Sequence, residues 1–351
     1  MLGFQDLLTI IGALFDATAS ALVAMFYGFA AFPSGIGFAI GALAAVMWGL
    51  CTPISFQAET IVLVGGLGRD IKERLSIVVI AGVIMGVLGA FGLLGATLDF
   101  IGETILAGML AGVGIILARA GVTLAKEHIP SGVVSFAIAL SVYFSTQNLA
   151  YMIASSIVGS TLVYVLLRRT NRSGEGVKYE TEERLVFRRP AFNSAAIWRG
   201  ALAVCCLQIG GNISYGTITS QIAQMPPPID KLTVMSAAAD VGSALFGGSP
   251  IESIISATAA APHPVLAAQL FMGLMAIILF TRLLPKIAEW VPVSATAGYL
   301  FVLGAILVVP DNMAAALSGN PLVGSITAVV TAISDPFIGM IAGILARMVI
   351  G

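Results

Sequence analysis

Two segments carry the side chains in this sequence best suited to chemistry: Thr52-Pro53-Ile54-Ser55-Phe56-Gln57-Ala58-Glu59 and Ser249-Pro250-Ile251-Glu252-Ser253-Ile254-Ile255-Ser256. Aligned on Pro53 and Pro250, Ser55 matches Glu252 and Glu59 matches Ser256, so each segment offers one hydroxyl and one carboxylate four residues apart. In a helix such a pair stands on one face. An ionisable side chain at membrane depth costs about 2.5–3.5 kcal/mol on insertion scales, which makes it a functional candidate. Asp16, in the middle of the first apolar stretch, is a third such acid. Repeated, interrupted hydrophobic segments at matching places in two halves of a chain point to the binding site of a secondary transporter.

Asp16, Glu59 and Glu252 are therefore the candidates both for substrate contact and for loading and releasing a coupling proton. Gln57, Gln208, Asn212 and Thr217 add amides and a hydroxyl, Ser253 and Ser256 add hydroxyls, and Phe56 and Tyr215 add rings able to stack on a planar ligand. Each has a competing structural role. Glu252 could cap its own helix, Asp16 could tie spans together through Ser or Thr, and the amides could form interhelical hydrogen bonds worth about 1 kcal/mol. Asp240 and Asp335 fall near span starts and read as structural, and His128 and His263 at span ends read as interfacial. Cys51, Cys205 and Cys206 lack metal-type spacing and read as small packing residues, so no metal or cofactor is expected.

The elements that must position these groups are membrane helices. With 58% hydrophobic and 10% charged residues, the chain lies outside the range of soluble enzyme domains. Its apolar stretches have the length a helix needs to cross roughly 30 Å of hydrocarbon. They predict spans at 7–32, 34–50, 52–67, 75–95, 102–119, 131–145 and 148–168, then 196–222, 232–247, 249–262, 264–284, 292–309, 320–333 and 335–350. The first has neither a basic leader nor a small-residue cleavage site and reads as a retained span. The polar stretch 169–194 is a linker between two halves of seven spans, and an odd number per half inverts the second half. Pro53 and Pro250 cannot sit inside a continuing helix, so spans three and ten are expected to run as short extended strands leading into half-helices, with N-termini near 55 and 252. Such termini present unpaired N–H groups to a ligand. The fold class expected is an all-α polytopic membrane protein, a 7+7 inverted repeat in the cell membrane.

The run Val234-Met235-Ser236-Ala237-Ala238-Ala239-Asp240 followed by Leu245-Phe246-Gly247-Gly248-Ser249-Pro250 resembles the ninth and tenth spans of the nucleobase/ascorbate transporter family of xanthine and uracil permeases, its guanine/hypoxanthine branch in particular. Residues 108–120 (GMLAGVGIILARA), Tyr215-Gly216-Thr217 and residues 326–343 (ITAVVTAISDPFIGMIAG) add to the likeness. The resemblance implies a core of spans 1–4 and 8–11 and a gate of spans 5–7 and 12–14. On this sequence these become core 1–97, gate 98–168, linker 169–194, core 195–286 and gate 287–351. It also implies a nucleobase held between spans three and ten, proton coupling and a homodimer. The family carries one base-binding acid in its eighth span and another in its tenth, six residues after the proline. Those positions are Ile213 and Ser256 here. Carried across the offset between Pro53 and Pro250, position 213 falls on Asp16 and position 256 on Glu59, so the acids have moved to the other half.

Charge points the same way. Of 17 Lys and Arg, only Lys231 and Arg347 follow even-numbered spans, which makes the odd loops cytoplasmic and places both termini outside, inverted relative to the family. The net charge of −1 argues against nucleic acid. The sequence thus reads as a proton-coupled nucleobase transporter that shifts core against gate. The alternative is an anion carrier, of sulfate or bicarbonate, with the related sulfate-transporter fold; its half-helix dipoles suit anions, and three intramembrane acids count against it. A channel is disfavoured because broken half-helices suit a closed binding site, and an intramembrane enzyme because no metal motif and no paired nucleophile and base are present.

Overall fold

The computed structural model describes residues 3–170, 181–288 and 290–350. The first half runs α1 (Phe4–Phe26), α2 (Ala31–Trp48), β1 (Ile54–Phe56), α3 (Ala58–Leu67), α4 (Ile71–Ala90), α5 (Leu94–Ile101), α6 (Glu103–Ala125), α7 (Ile129–Thr146) and α8 (Leu149–Thr170). The second runs α9 (Ala195–Ile222), α10 (Ile229–Ala244), β2 (Ile251–Ser253), a 3-10 turn (Ala257–Ala260), α11 (Pro264–Phe280), α12 (Leu283–Ala288), α13 (Ala297–Phe301), a π-helical stretch (Val302–Val308), α14 (Val309–Ser318), α15 (Pro321–Ile333) and α16 (Pro336–Ile350). Seven helical stretches among the described residues are long and apolar enough to cross a bilayer, and the shorter apolar helices α3, α11, α15 and α16 accompany them.

The packing repeats itself. α4 packs on α10 as α11 packs on α2, and α4 on α9 as α11 on α1, the arrangement expected if the second half is a rotated copy of the first. In the other group α7 packs on α8 as α15 on α16, and α6 on α15 as α13 on α7. The rotation axis can be placed. β1 and β2 pair antiparallel with Ile54 opposite Ser253, Ser55 opposite Glu252 and Phe56 opposite Ile251. Ser55 and Glu252 are also the residues matched by the two proline segments, so the pseudo-twofold passes between them.

Local chemistry explains the breaks. Pro53 and Pro250 each precede a short strand, because proline lacks the N–H a helix interior needs. Neither strand begins a helix at 55 or 252, as the spacing predicted. α3 starts at Ala58, and the second repeat continues into one 3-10 turn where an α-helical half was expected. Hence Ser55 and Glu59 do not stack on one helix face; Ser55 lies on the strand and Glu59 in the first turn of α3. Gly247, with φ +94, turns the chain so that its carbonyl accepts the Ala30 N–H (2.9 Å), tying the start of α2 to the end of α10.

The loops segregate by charge. At one end Arg74 donates to the Tyr27 carbonyl (2.7 Å), the Arg282 guanidinium sits 4.5 Å from the Phe32 ring centroid, and the Arg188 N–H donates to the Leu245 carbonyl (2.7 Å). The described part of the linker, 181–194, lies on this end and is built into the protein. Glu183 accepts the N–H groups of Ala31 (3.0 Å) and Phe32 (2.7 Å), capping α2, and the Ala191 N–H donates to Ser76. The rest of the linker, 171–180, lies outside the described residues. At the opposite end Arg347 donates to the carbonyls of Phe100 and Ile101 (both 2.8 Å), and His263 binds Asp6 through its backbone N–H (2.9 Å) and Nδ1 (3.1 Å).

Candidate functional site

The site grows from the crossing of the two strands. One face of α9, at spacings of four, three and four, presents Gln208, Asn212, Tyr215 and Thr219 to it. Gln208 donates from Nε2 to both Asp240 (2.6 Å) and Glu252 (2.8 Å), and Asp240 also accepts the Ile251 N–H (2.7 Å). The Thr60 hydroxyl shares its one proton between Glu252 (2.9 Å) and the Gln57 side-chain oxygen (2.7 Å), so one bonded network joins α9, α10, α3 and β2, with β1 paired to β2. Ser253 donates to the Asn212 side-chain oxygen (2.6 Å), Gln57 to the Ser253 carbonyl (3.4 Å), and Thr219 to the Ile254 carbonyl (3.2 Å).

A second cluster adjoins it. The Tyr215 hydroxyl donates to Glu59 (3.3 Å), and α1, which carries Asp16, packs on α3, which carries Glu59. One turn beyond Asp16, the Ser20 hydroxyl meets the buried Tyr299 hydroxyl at 2.8 Å, joining α1 to α13. The described partners of Glu59, Glu252 and Asp240 are Tyr215, Thr60, Gln208 and the Ile251 N–H; none carries a positive charge.

The structure therefore brings together Asp16, Gln57, Glu59, Gln208, Asn212, Tyr215, Glu252 and Ser253. Three expected residues do other work. The Phe56 ring packs on Phe38 with centroids 5.2 Å apart, inside the hydrophobic core. Ser256 accepts from the Thr258 backbone and hydroxyl and caps the 3-10 turn. Thr217 stands on the far side of α9, and Thr219 occupies the place it was expected to fill. Glu252 does not cap a helix, since it sits on β2. Asp240 belongs to the network as well as to helix packing, and Thr60, Ser20 and Tyr299 were overlooked. The signal for Thr60 was its position beside Glu59; Tyr299 had none, because only folding brings residue 299 to residue 20. Asp335 bridges as well as caps, accepting the Ile338 N–H (3.0 Å) and pairing with Arg199 at 2.6 Å.

Unsatisfied atoms mark where a ligand fits. In the segments around the strand crossing, Ser55 Oγ, Asn212 Nδ2, Thr52 Oγ1 and Gln208 Oε1 are buried without a hydrogen-bond partner among the described residues. The N-terminus of α3, three residues after Ser55, has no side-chain cap. Native interiors seldom leave such groups unpaired; the Ser55 and Thr52 hydroxyls and the Asn212 amide can donate to a ligand, and the Gln208 oxygen can accept from one.

No family model and no curated protein matches the chain. Solved structures do match it. The transmembrane domain of a cyanobacterium bicarbonate transporter, BicA, aligns over 97% of this chain and 98% of its own, with TM-score 0.66 and 16% identity. SLC26A9 aligns over 97% of this chain and 65% of its own at TM-score 0.61 and 11% identity. The murine Slc26a9 anion transporter in its inward-facing state aligns over 99% and 68% at TM-score 0.62 and 15% identity. These likenesses show the fold, a multi-pass membrane protein built as an inverted repeat with core and gate.

They also overturn the family expected from sequence. The matched structures are a bicarbonate transporter and an anion transporter, so the assignment to the nucleobase/ascorbate family falls, and with it the nucleobase as substrate and partner. Two of the motifs that carried it, residues 108–120 and 326–343, are packing motifs. In residues 108–120, a Cβ at Gly112 would meet Thr331 Cβ at 2.4 Å, and in residues 326–343 one at Gly339 would meet the Thr331 hydroxyl. Small residues at these crossings belong to the fold and say nothing about cargo.

Proposed function

We propose that this protein is a secondary transporter of a small inorganic anion of the bicarbonate kind. The observation that carries the reading is the alignment with the transmembrane domain of a bicarbonate transporter over nearly the whole of both chains. The unpaired donors Ser55, Asn212 and Thr52 and the uncapped start of α3 support it, because a small oxyanion has many acceptors and no need of a stacking ring. Transport proceeds by motion of the core, 1–97 and 195–286, against the gate, 98–168 and 287–351. The surplus of Lys and Arg in the odd loops places that end in the cytoplasm.

Asp16, Glu59 and Glu252 give the site a further property. Carboxylates without a basic partner repel an anion strongly in a low-dielectric interior. The anion therefore enters when these acids are neutralised, and protons on them couple the two movements.

Uptake of labelled bicarbonate, sulfate and chloride into proteoliposomes, with uracil alongside, tests the reading. Saturable uptake of one of the anions is the expected result. Uptake of none of them, by protein shown to be folded, would overturn it.

A further inference from the structure

A surface groove lies away from this site. A groove of about 560 Å³ opens between the second half of α6 and the α13–α14 stretch. Its existence follows from side-chain size and helix geometry. Ala118 and Ala305 face it from the two walls, and Ala305 belongs to the π-helical stretch, whose wider turn departs from regular packing. The walls run antiparallel: Gly121 lies against Ala297 and Phe301, and Gly114 against Gly304 and Val308. Phe301 is thus level with the end of α6, and Val309 lies deeper.

Polarity changes along the groove in the same direction. Lys126 stands at the end of α6 and Arg119 two turns deeper, both exposed and both lining it, with Thr123 between them. Beyond Arg119 the lining is apolar, with Ile115 and Ala118 of α6 facing Ala305 and Val309, while Val122 lines the mouth between the two cations. One N–H of Arg119 donates to the Ala332 carbonyl (3.3 Å), which holds the guanidinium in place and leaves other donors for an anion. Glu127, the nearest acid in sequence, does not line the groove. Two cations at the mouth of an apolar channel, on the surface a membrane protein turns to lipid, match a molecule with an anionic head and a hydrocarbon tail. The odd-numbered loop beside it puts the mouth at the basic end of the protein.

We propose that this groove binds a phospholipid with an anionic headgroup, its phosphate on Lys126 and Arg119 and an acyl chain along Ile115 and Val309. Because α6 and α13–α14 form the groove together, the lipid holds two gate elements in one arrangement. The proposal does not depend on which anion is carried, since its test reads binding.

Native mass spectrometry of the purified full-length protein, with phosphatidylglycerol and phosphatidylcholine of identical chains at equal concentration, measures it. The wild type retains phosphatidylglycerol in preference. Lys126→Gln and Arg119→Gln each weaken that retention roughly fivefold while leaving phosphatidylcholine unchanged. Val122→Trp, which fills the mouth of the channel, weakens retention without altering charge, and with Lys126→Gln it carries the test if Arg119→Gln does not fold. Equal retention of the two lipids by the wild type would overturn the proposal. So would displacement of phosphatidylglycerol by inorganic phosphate at matched concentration, which would make the site one for a free anion. Cross-linking between copies through a cysteine at position 122, with lipid excluded, would assign the groove to a second copy and overturn it as well.

Discussion

Replacing Gln208 with leucine tests whether the network at the strand crossing holds the site together. The Gln208 amide donates to two carboxylates, Asp240 at 2.6 Å and Glu252 at 2.8 Å, and leucine removes both bonds with little change of volume. A hydrogen bond to a charged group is worth about 1.5–3 kcal/mol in soluble proteins. Between membrane helices the measured values are smaller, about 0.6 kcal/mol on average and about 1.7 at most, because the unfolded chain in lipid also finds partners. Neither carboxylate is stripped bare: Asp240 keeps the Ile251 N–H and Glu252 keeps Thr60. Two short bonds at the upper end of the membrane range then give a loss of about 2–3 kcal/mol. At roughly 2 °C per kcal/mol for a long chain, the thermal midpoint falls by about 4–6 °C. Cys51 and Cys205 are buried free thiols, so a thiol-reactive dye reports the transition directly. Gln221→Leu, at an exposed position of the same helix, is the control and leaves the midpoint near that of the wild type. A Gln208→Leu midpoint no lower than that of Gln221→Leu would refute the reasoning, since the network would then contribute nothing.

Three further outcomes follow from particular contacts. Glu59→Gln mimics the protonated acid, so anion uptake loses its stimulation by an inward proton gradient while exchange of anion for anion persists; flux measured at two external pH values checks this. Arg199→Ala leaves the buried Asp335 with the Ile338 N–H as its remaining described partner and lowers stability by about 1–2 kcal/mol, less than for a fully buried pair because Arg199 is half exposed. A double-mutant cycle with Asp335→Asn measures that coupling. Gly112→Ala places a Cβ 2.4 Å from Thr331 Cβ and 2.6 Å from the Ala328 carbonyl, so α6 and α15 must separate at a cost of about 1–3 kcal/mol, read as a lower thermal midpoint.

The residues that misled are as informative as those that did not. The stretches 108–120 and 326–343 were recognisable because helices that cross closely need glycine and alanine at fixed spacings, and any transporter of this architecture meets that demand. In this protein those stretches pack α6 against α15 and α15 against α16. Substrate depends instead on a handful of polar atoms, and no run of adjacent residues spells them out. Thr217 and Thr219 show the limit at its smallest: both are small polar residues on α9, and two positions of rotation decide which one reaches the site.

Hydropathy, proline placement and the matched segments around Pro53 and Pro250 were enough to establish a helical multi-pass membrane protein, its two repeated halves and the strands between them. These features are local, because a helix must satisfy its own backbone in lipid and a proline interrupts it wherever it stands. Ser55 and Glu252 were matched by alignment alone, and the fold placed them opposite each other on the axis relating the halves. Which acids share a network, that Gln208 links two of them, that Phe56 turns into the core, and that Tyr299 meets Ser20 were settled by packing between helices far apart in the chain. Rotation about each helix axis is set by its neighbours, and a sequence read one span at a time does not contain them.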